Sequence, residues 1–352
     1  MERGKGVKGS PCSSLNGALK LGGMDRFSTR REFVRMLFAA TAGAALSGPL
    51  LTRVLASVPS EGTLRFLMFG DWGRRGQRDQ LDVAAQMGRA AAALQAPFVV
   101  SLGDNFYDYG VVSADDPQWK ESFEDVYVAP SLRVPWNVIL GNHDYRGNCG
   151  AQIDYSSRSS RWRMPARYYS RTESIPGGKT LLMVYTDTSP FVSSYAKDAL
   201  MGPNVRSQDT AAQLAWIDRT LSGSKADWKI VLGHHPIYSG GEHGDTPELV
   251  ERFLPLLKRH GVHVYFNGHD HDLQHQESGG IHFFCVGAGS TVRPIKSREF
   301  SLFAKSTPGF AAVSVGAESM DVRLTSASGE VLYSASISRS AAKGAVAVTA
   351  PA

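Results

Sequence analysis

Phe66-Leu67-Met68-Phe69-Gly70-Asp71-Trp72-Gly73 is a short apolar run that stops at a glycine and a carboxylate. A run of this length, with glycine at its end, reads as a buried strand passing into a tight loop. The same grammar returns four times. Phe98-Val99-Val100-Ser101-Leu102 leads into Gly103-Asp104-Asn105-Phe106-Tyr107, and Val138-Ile139-Leu140 into Gly141-Asn142-His143-Asp144. Ile230-Val231-Leu232 leads into Gly233-His234-His235-Pro236, and Val264-Tyr265-Phe266 is followed by Gly268-His269-Asp270-His271. One such segment carries little weight. Five of them bring oxygen and nitrogen donors to the carboxyl ends of strands, the edge where α/β proteins place their chemistry. The pattern predicts an α/β fold with a two-metal site along a sheet edge.

The donors define the type of site. Asp71, Asp104, Tyr107, Asn142, His234, His269 and His271 suffice for two metal ions, provided Asp104 bridges both. Carboxylate, phenolate, amide oxygen and imidazole without thiolate argue against a structural zinc site and for hard or borderline ions. Tyr107 is the unusual member. A phenol of resting pKa ~10 needs a strong Lewis acid to stay deprotonated. With Asp71 and Asp104 it sets three negative ligands around one ion, which favours Fe(III). Asn142, two histidines and the shared Asp104 suit a divalent ion: iron, zinc or manganese.

These motifs, in this order, resemble those of the purple acid phosphatases within the binuclear metallophosphoesterases, most nearly the small tartrate-resistant type. The family's Asp-x-Gly, Gly-Asp-x-x-Tyr, Gly-Asn-His-Asp/Glu, Val-x-x-His and Gly-His-x-His elements are all met, the fourth as Val231-Leu232-Gly233-His234. Generic metallophosphoesterases carry Asp-x-His in the first segment; here Gly73 stands in that place and Tyr107 supplies the donor. The resemblance runs from about Leu64 to the C-terminal region. It implies an αββα sandwich of two mixed β-sheets flanked by helices, the calcineurin-like metallophosphoesterase fold. It also implies that Asp71, Asp104, Tyr107 and His271 hold Fe(III), and that Asp104, Asn142, His234 and His269 hold the divalent ion. His143 would face the substrate phosphate. His243, in Gly240-Gly241-Glu242-His243-Gly244, would serve the leaving alkoxide as proton donor. The substrate-binding set is then Asn142, His143, His243 and His235, although simple packing remains the alternative for His235.

Phosphate-ester hydrolysis needs charge neutralisation, a positioned water and help for the leaving oxygen. Two metals meet the first two needs. Histidines with an unperturbed pKa near ~6.5 are cationic in mild acid and can meet the third. The expected activity is therefore an exported acid phosphatase cleaving phosphate monoesters by metal-hydroxide attack, with no covalent intermediate. Its substrates are small phosphate esters, with phosphoproteins as a further class. A phosphodiesterase or nucleotidase using the same metals is the alternative. A phosphate-binding protein on an inactive scaffold is disfavoured, because every ligand position is filled.

The net charge of +5 belongs to the leader. Residues 1–56 hold nine of the 38 basic and three of the 33 acidic side chains, leaving 29 and 30 in the rest. The remainder has no electrostatic case for nucleic acid. Ser28-Thr29-Arg30-Arg31-Glu32-Phe33-Val34 resembles a twin-arginine export signal. An apolar segment, Met36 to Leu51, follows, and then Val54-Leu55-Ala56 as a cleavage site. Gly48-Pro49 and the short apolar length disfavour a stable membrane span. The reading is a twin-arginine signal region over 1–56, with the twin-arginine translocase as export partner and a periplasmic or secreted destination. Met24 competes with Met1 as the start. The catalytic domain spans 57–337, a monomer is expected, and 338–352 reads as a flexible, frayed tail. Cys149 and Cys285 remain after the leader; they are distant in sequence, and pairing is not expected.

Leu81 to Leu94 and Ala211 to Leu221 read as helices, the latter with Leu214, Ile217 and Leu221 on one face. Thr246-Pro247-Glu248 starts another, with Thr246 as cap, a kink at Pro255 and an end at Gly261. Ile281 to Val286, Ala311 to Val315, Met320 to Leu324 and Val331 to Ile337 read as strands of a second, more antiparallel sheet. Asp144 is expected to orient His143, Asn105 to hold its turn, and Asp270 to be structural. Arg74-Arg75 reads as a solvated loop. His260, His263, His275 and His282 read as surface or core.

Overall fold

Among the described residues, the apolar side chains pack chiefly between two stacked sheets and between the sheets and their helices. The structure, a computed structural model, describes residues 62–341 and 346–349. The leader lies outside the described residues. The strands in chain order are β1 (Leu64–Phe69), β2 (Val99–Ser101), β3 (Trp136–Val138), β4 (Trp162–Arg163), β5 (Tyr169–Ile175), β6 (Lys179–Tyr185), β7 (Trp228–Leu232) and β8 (Val264–Asn267). They continue as β9 (Leu273–Ser278), β10 (Ile281–Val286), β11 (Ser301–Lys305), β12 (Gly309–Val315), β13 (Ser319–Ser326), β14 (Val331–Ser338) and β15 (Val346–Thr349).

The first sheet runs β15-β14-β13-β12-β1-β2-β3-β4, and the second β11-β9-β10-β8-β7-β6-β5. Strands β1 to β4 are parallel, as are β6, β7, β8 and β10. The parallel strands are the apolar ones, as expected where both faces are covered. Period two is plain in the second sheet. Leu181, Met183 and Tyr185 of β6, Trp228, Ile230 and Leu232 of β7, and Val264 and Phe266 of β8 enter the core shared with the first sheet. Leu182, Val184, Val231 and Tyr265 face the other way, against Ile217, Leu221, Leu249, Phe253 and Leu257 of the covering helices. On the first sheet, the helix Gln80–Leu94 supplies Val83, Ala84, Met87 and Ala91. The result is the expected αββα sandwich of two mixed sheets.

Three expectations need correction. The later strands do not form a sheet of their own: β12 pairs antiparallel with β1, and β13 and β14 extend that same sheet. Only β10 enters the second sheet, parallel to β8. Pairing of this kind is non-local and leaves no trace in periodicity. The helix expected from Thr246 to Gly261 is two helices, Pro247–Arg252 and Leu254–Arg259, because Pro255 has no N–H and breaks the ladder. Thr246 occupies the cap position, but its hydroxyl makes no cap bond. By contrast, Asp209 caps the helix Thr210–Gly223 through the Ala212 N–H at 2.9 Å. Past Ser338, β15 pairs antiparallel with β14, and residues 342–345 and 350–352 of the expected tail lie outside the described residues. Cys149 and Cys285 are buried and unpaired.

Candidate metal centre

All five glycine loops open at the carboxyl ends of parallel strands, β1, β2 and β3 in one sheet and β7 and β8 in the other. Their backbone is unusual where the donors sit. Asp71, Asp104 and His269 have φ of 63°, 49° and 69°. Non-glycine residues rarely adopt this region, and such residues concentrate at functional sites. The flanking glycines allow close approach. A Cβ on Gly141 would overlap the Asp104 carboxylate, and one on Gly268 would overlap that of Asp71.

The Tyr107 hydroxyl sits at the centre of one half of the site. It lies 3.0 Å from Asp71 Oδ1, 2.9 Å from Asp104 Oδ2 and 3.0 Å from His271 Nε2. A phenol has one hydrogen to give, so it cannot satisfy both carboxylates and the imidazole. Burial pushes the Asp71 carboxyl up to about 8. Burial, then the two carboxylates, raises the Tyr107 phenol well above its usual range. Asp104 is also buried, yet His234 and His143 hold it below the usual carboxylate range.

The other half is built from His234, Asn142 and His269. His234 Nδ1 donates to the Leu102 carbonyl at 2.9 Å, which leaves the Nε2 lone pair facing the site. Asn142 Oδ1 is 3.1 Å from that Nε2, and His269 Nδ1 is 3.3 Å from it. Asp104 Oδ1 is 3.5 Å from the same atom. Donor atoms of Asp71, Asp104 and His234 lie within 4.8 Å of one another, as do those of His234, His235 and His269. Electron pairs converge in both halves with too few protons between them. Two cations resolve that conflict, so the residues fit a binuclear metal group, with Asp104 between its halves.

The two expected catalytic histidines stand beside different halves. The His143 ring lies 4.3 Å from that of Tyr107, and His243 lies 4.1 Å from His269. Their settings differ. Burial pushes His143 down, which does not match the expectation of a cation in mild acid. His243 is raised by its hydrogen bond to Asp270, which matches it.

Several supporting residues depart from the sequence reading. Asp270 is not merely structural. Its Oδ1 takes the His243 backbone N–H at 3.0 Å and Nδ1 at 2.8 Å, and Ser239 donates to its Oδ2. Asp144 does not orient His143, whose Nδ1 meets the Asp108 carbonyl at 2.8 Å. Instead Asp144 takes N–H groups from Asn105, Phe106 and Gly141 and fastens two ligand loops together. Asn105 holds the turn, with Nδ2 donating to the Ile139 carbonyl at 2.9 Å. Arg74 is no solvated loop residue, since its guanidinium lies 3.7 Å above the Tyr107 ring. Trp72 and Phe106 are core, whereas Tyr109 is exposed. His275 and His282 are buried, and His260 bonds Asp218 at 2.7 Å. Thr291, which bonds His271 Nδ1 at 2.7 Å, and Arg293, 3.0 Å from His243 Nε2, have no motif that singles them out.

Residues 64–273 match the calcineurin-like phosphoesterase family. Purple acid phosphatase 17 of Arabidopsis thaliana is 42% identical over 277 residues, covering 73% of this chain and 80% of that protein. The chain belongs to the purple acid phosphatases. Tartrate-resistant acid phosphatase type 5 of Sus scrofa is 37% identical over 327 residues, covering 87% of this chain and 96% of that protein. Similarity to this family thus spans plant and mammalian members alike. Among solved structures, GAP50, the anchor in the inner membrane complex of Plasmodium, aligns with a TM-score of 0.70 at 27% identity, over 79% of this chain and 89% of that one. The purple acid phosphatase PPD1 from yellow lupin seeds aligns at 0.58 and 17% identity, over 78% and 54%, and shares the fold.

Proposed function

We propose that this purple acid phosphatase is an exported phosphoric monoester hydrolase with a binuclear Fe(III)–M(II) centre, closest in type to the small tartrate-resistant enzymes. The observation that carries the reading is the Tyr107 hydroxyl held within 3.0 Å of two carboxylates and an imidazole. Asp71, Asp104, Tyr107 and His271 would hold Fe(III). Asp104, Asn142, His234 and His269 would hold iron, zinc or manganese as the divalent ion. When bound, the pair supplies charge neutralisation for a phosphoryl group and activation of a water.

The chain's own residues do the rest. Asn142 and His143 border the phosphate position, and the Asp108 carbonyl fixes the His143 ring through Nδ1. His243 is held by Asp270 through Nδ1, so its Nε2 is the atom that gives a proton to the leaving oxygen. Arg293 Nη1 lies 3.0 Å from that same Nε2 and can donate to it only while Nε2 is unprotonated; an arriving phosphate competes for the guanidinium and frees Nε2 to carry the proton. Small phosphate esters and phosphoproteins are the substrate classes. The twin-arginine leader, which lies outside the described residues, supports export by the twin-arginine translocase to the periplasm or beyond. Among the described residues, no helix is long and apolar enough to cross a membrane.

The test is a visible spectrum and metal analysis of the purified protein, with p-nitrophenyl phosphate hydrolysis followed across acidic pH. A purple band, iron near one per chain with a second metal, and an acid optimum are expected, and Tyr107→Phe should abolish the band. A colourless two-metal protein active only at neutral or alkaline pH would overturn the assignment. Faster cleavage of bis-(p-nitrophenyl) phosphate than of the monoester would replace it with a phosphodiesterase.

A further inference from the structure

His235 is buried beside the centre, and hydroxyls occupy both its ring nitrogens. Nδ1 lies 2.8 Å from Thr188 Oγ1, and Nε2 lies 3.1 Å from the Tyr195 hydroxyl. Counting donors fixes the direction of this chain. Thr188 Oγ1 already accepts the backbone N–H groups of His234 and His235, each at 3.1 Å. A hydroxyl oxygen has two acceptor lone pairs and one hydrogen. With both lone pairs committed, the hydrogen is what points at Nδ1. His235 therefore accepts at Nδ1 and carries its proton on Nε2. That N–H donates to the Tyr195 oxygen, which leaves the Tyr195 hydrogen free for another acceptor. Among the described residues, His235 is the only hydrogen-bond partner of this hydroxyl.

His235 links this hydroxyl to the edge of the centre. The His235 ring lies 4.4 Å from that of His269. Tyr195 sits in the short turn Ser193–Lys197, with its hydroxyl 3.1 Å from His235 Nε2. We propose that Tyr195 contacts substrate: oriented by the Thr188–His235 chain, its hydroxyl donates a hydrogen bond to an oxygen of a phosphate group at the metal centre. This inference rests on the phosphatase reading. A neutral donor here favours anionic acceptor oxygens without adding charge. The same tautomer keeps His235 Nε2 protonated, and hence away from metal, although the ring borders the divalent pocket.

Two measurements test it. The first is ¹⁵N NMR of the imidazole nitrogens in metal-free protein, with His235 assigned through His235→Gln. The Nε2–H tautomer is expected, and the Nδ1–H tautomer would overturn the chain. The second is calorimetric binding of inorganic phosphate to metal-loaded protein. Tyr195→Phe should weaken phosphate by about tenfold or more, the scale of a hydrogen bond to a charged group, with metal content unchanged. Thr188→Ser, which keeps the hydroxyl, should bind phosphate as the wild type does. Equal affinities for wild type and Tyr195→Phe would overturn the role of Tyr195 alone. A metal-loaded wild type that neither binds phosphate nor cleaves monoesters would overturn the phosphatase reading itself.

Discussion

Asp270 decides what His243 can do. Its buried carboxylate accepts both the backbone N–H and Nδ1 of that residue, so ring position and proton affinity are set together. Removing the charge should lower the His243 pKa and move the alkaline limb of the pH–rate profile to lower pH. Proton donation matters most when the leaving oxygen is basic. Asp270→Asn should therefore slow alkyl phosphates at least tenfold more than p-nitrophenyl phosphate, within the usual span of general acid catalysis. Parallel loss on both substrates, with an unmoved pH profile, would leave Asp270 as scaffold only. The sequence hides this role for a physical reason. In Gly268-His269-Asp270-His271 the flanking histidines reach the candidate metal centre through His234 and Tyr107, whereas Asp270 reaches Ser239 and His243. Its target lies 27 residues earlier, on a loop that no local pattern can place against it. The candidate metal donors were legible because each group follows its own strand, and strand ends in such a fold meet at one edge.

The loops are also tied to one another, and Asp144 is the knot. It accepts Gly141 N–H at 2.8 Å, Asn105 and Phe106 N–H at 3.1 and 3.2 Å, and Gln152 Nε2 at 2.8 Å. Burial and nearby Asp104 push its carboxyl up to about 7, while these donors favour the charged form. An amide in its place turns an NH₂ toward N–H groups and leaves at least one of them unpaired. Asp144→Asn should lose about 2–4 kcal/mol of stability, at ~1–3 kcal/mol per orphaned donor. Denaturant unfolding with metal stripped from both proteins checks this without metal linkage. A loss under half a kcal/mol would mean the loops hold themselves. The clamp also bears on an element boundary. β3 ends at Val138, not Leu140, and the Ile139 carbonyl accepts from Asn105 instead of extending a ladder. Apolarity marks Ile139 and Leu140 as buried, but cannot say that a side chain takes the Ile139 carbonyl while its N–H still bonds Ser101.

At the scale of the whole molecule, the two sheets meet through a polar contact as well as an apolar core. His275 on β9 bonds the Tyr333 hydroxyl on β14 at 2.9 Å, and its Nε2 lies 3.0 Å from His282 Nδ1. Sequence assigned both histidines to core or surface without a partner, since neither the sheet exchange of β14 nor this pairing is local. Burial pushes His282 down to about 4 and His275 well below its usual value. Both stay neutral when folded, and both become charged near pH 6.5 when unfolded. The unfolded chain then binds more protons between about 6.5 and 4, so stability falls as pH falls. The contribution is intact above pH 6.5 and is lost progressively towards pH 4. For His282 alone the loss is about 3 kcal/mol, at ~1.4 kcal/mol per unit of pKa difference. His282→Gln should therefore flatten the dependence of unfolding free energy on pH in that window relative to wild type, whatever the baseline cost of the substitution. Parallel curves for the two proteins would place the acid sensitivity elsewhere, with the metal ligands. The outcome matters for an enzyme meant to work in acid. Bound metal is a separate source of stability for such a sandwich, since it binds the folded chain alone. Because the ligands bind metal only when deprotonated, the metal-loaded form should be more stable than the stripped form, with an advantage that shrinks as pH falls over the same range.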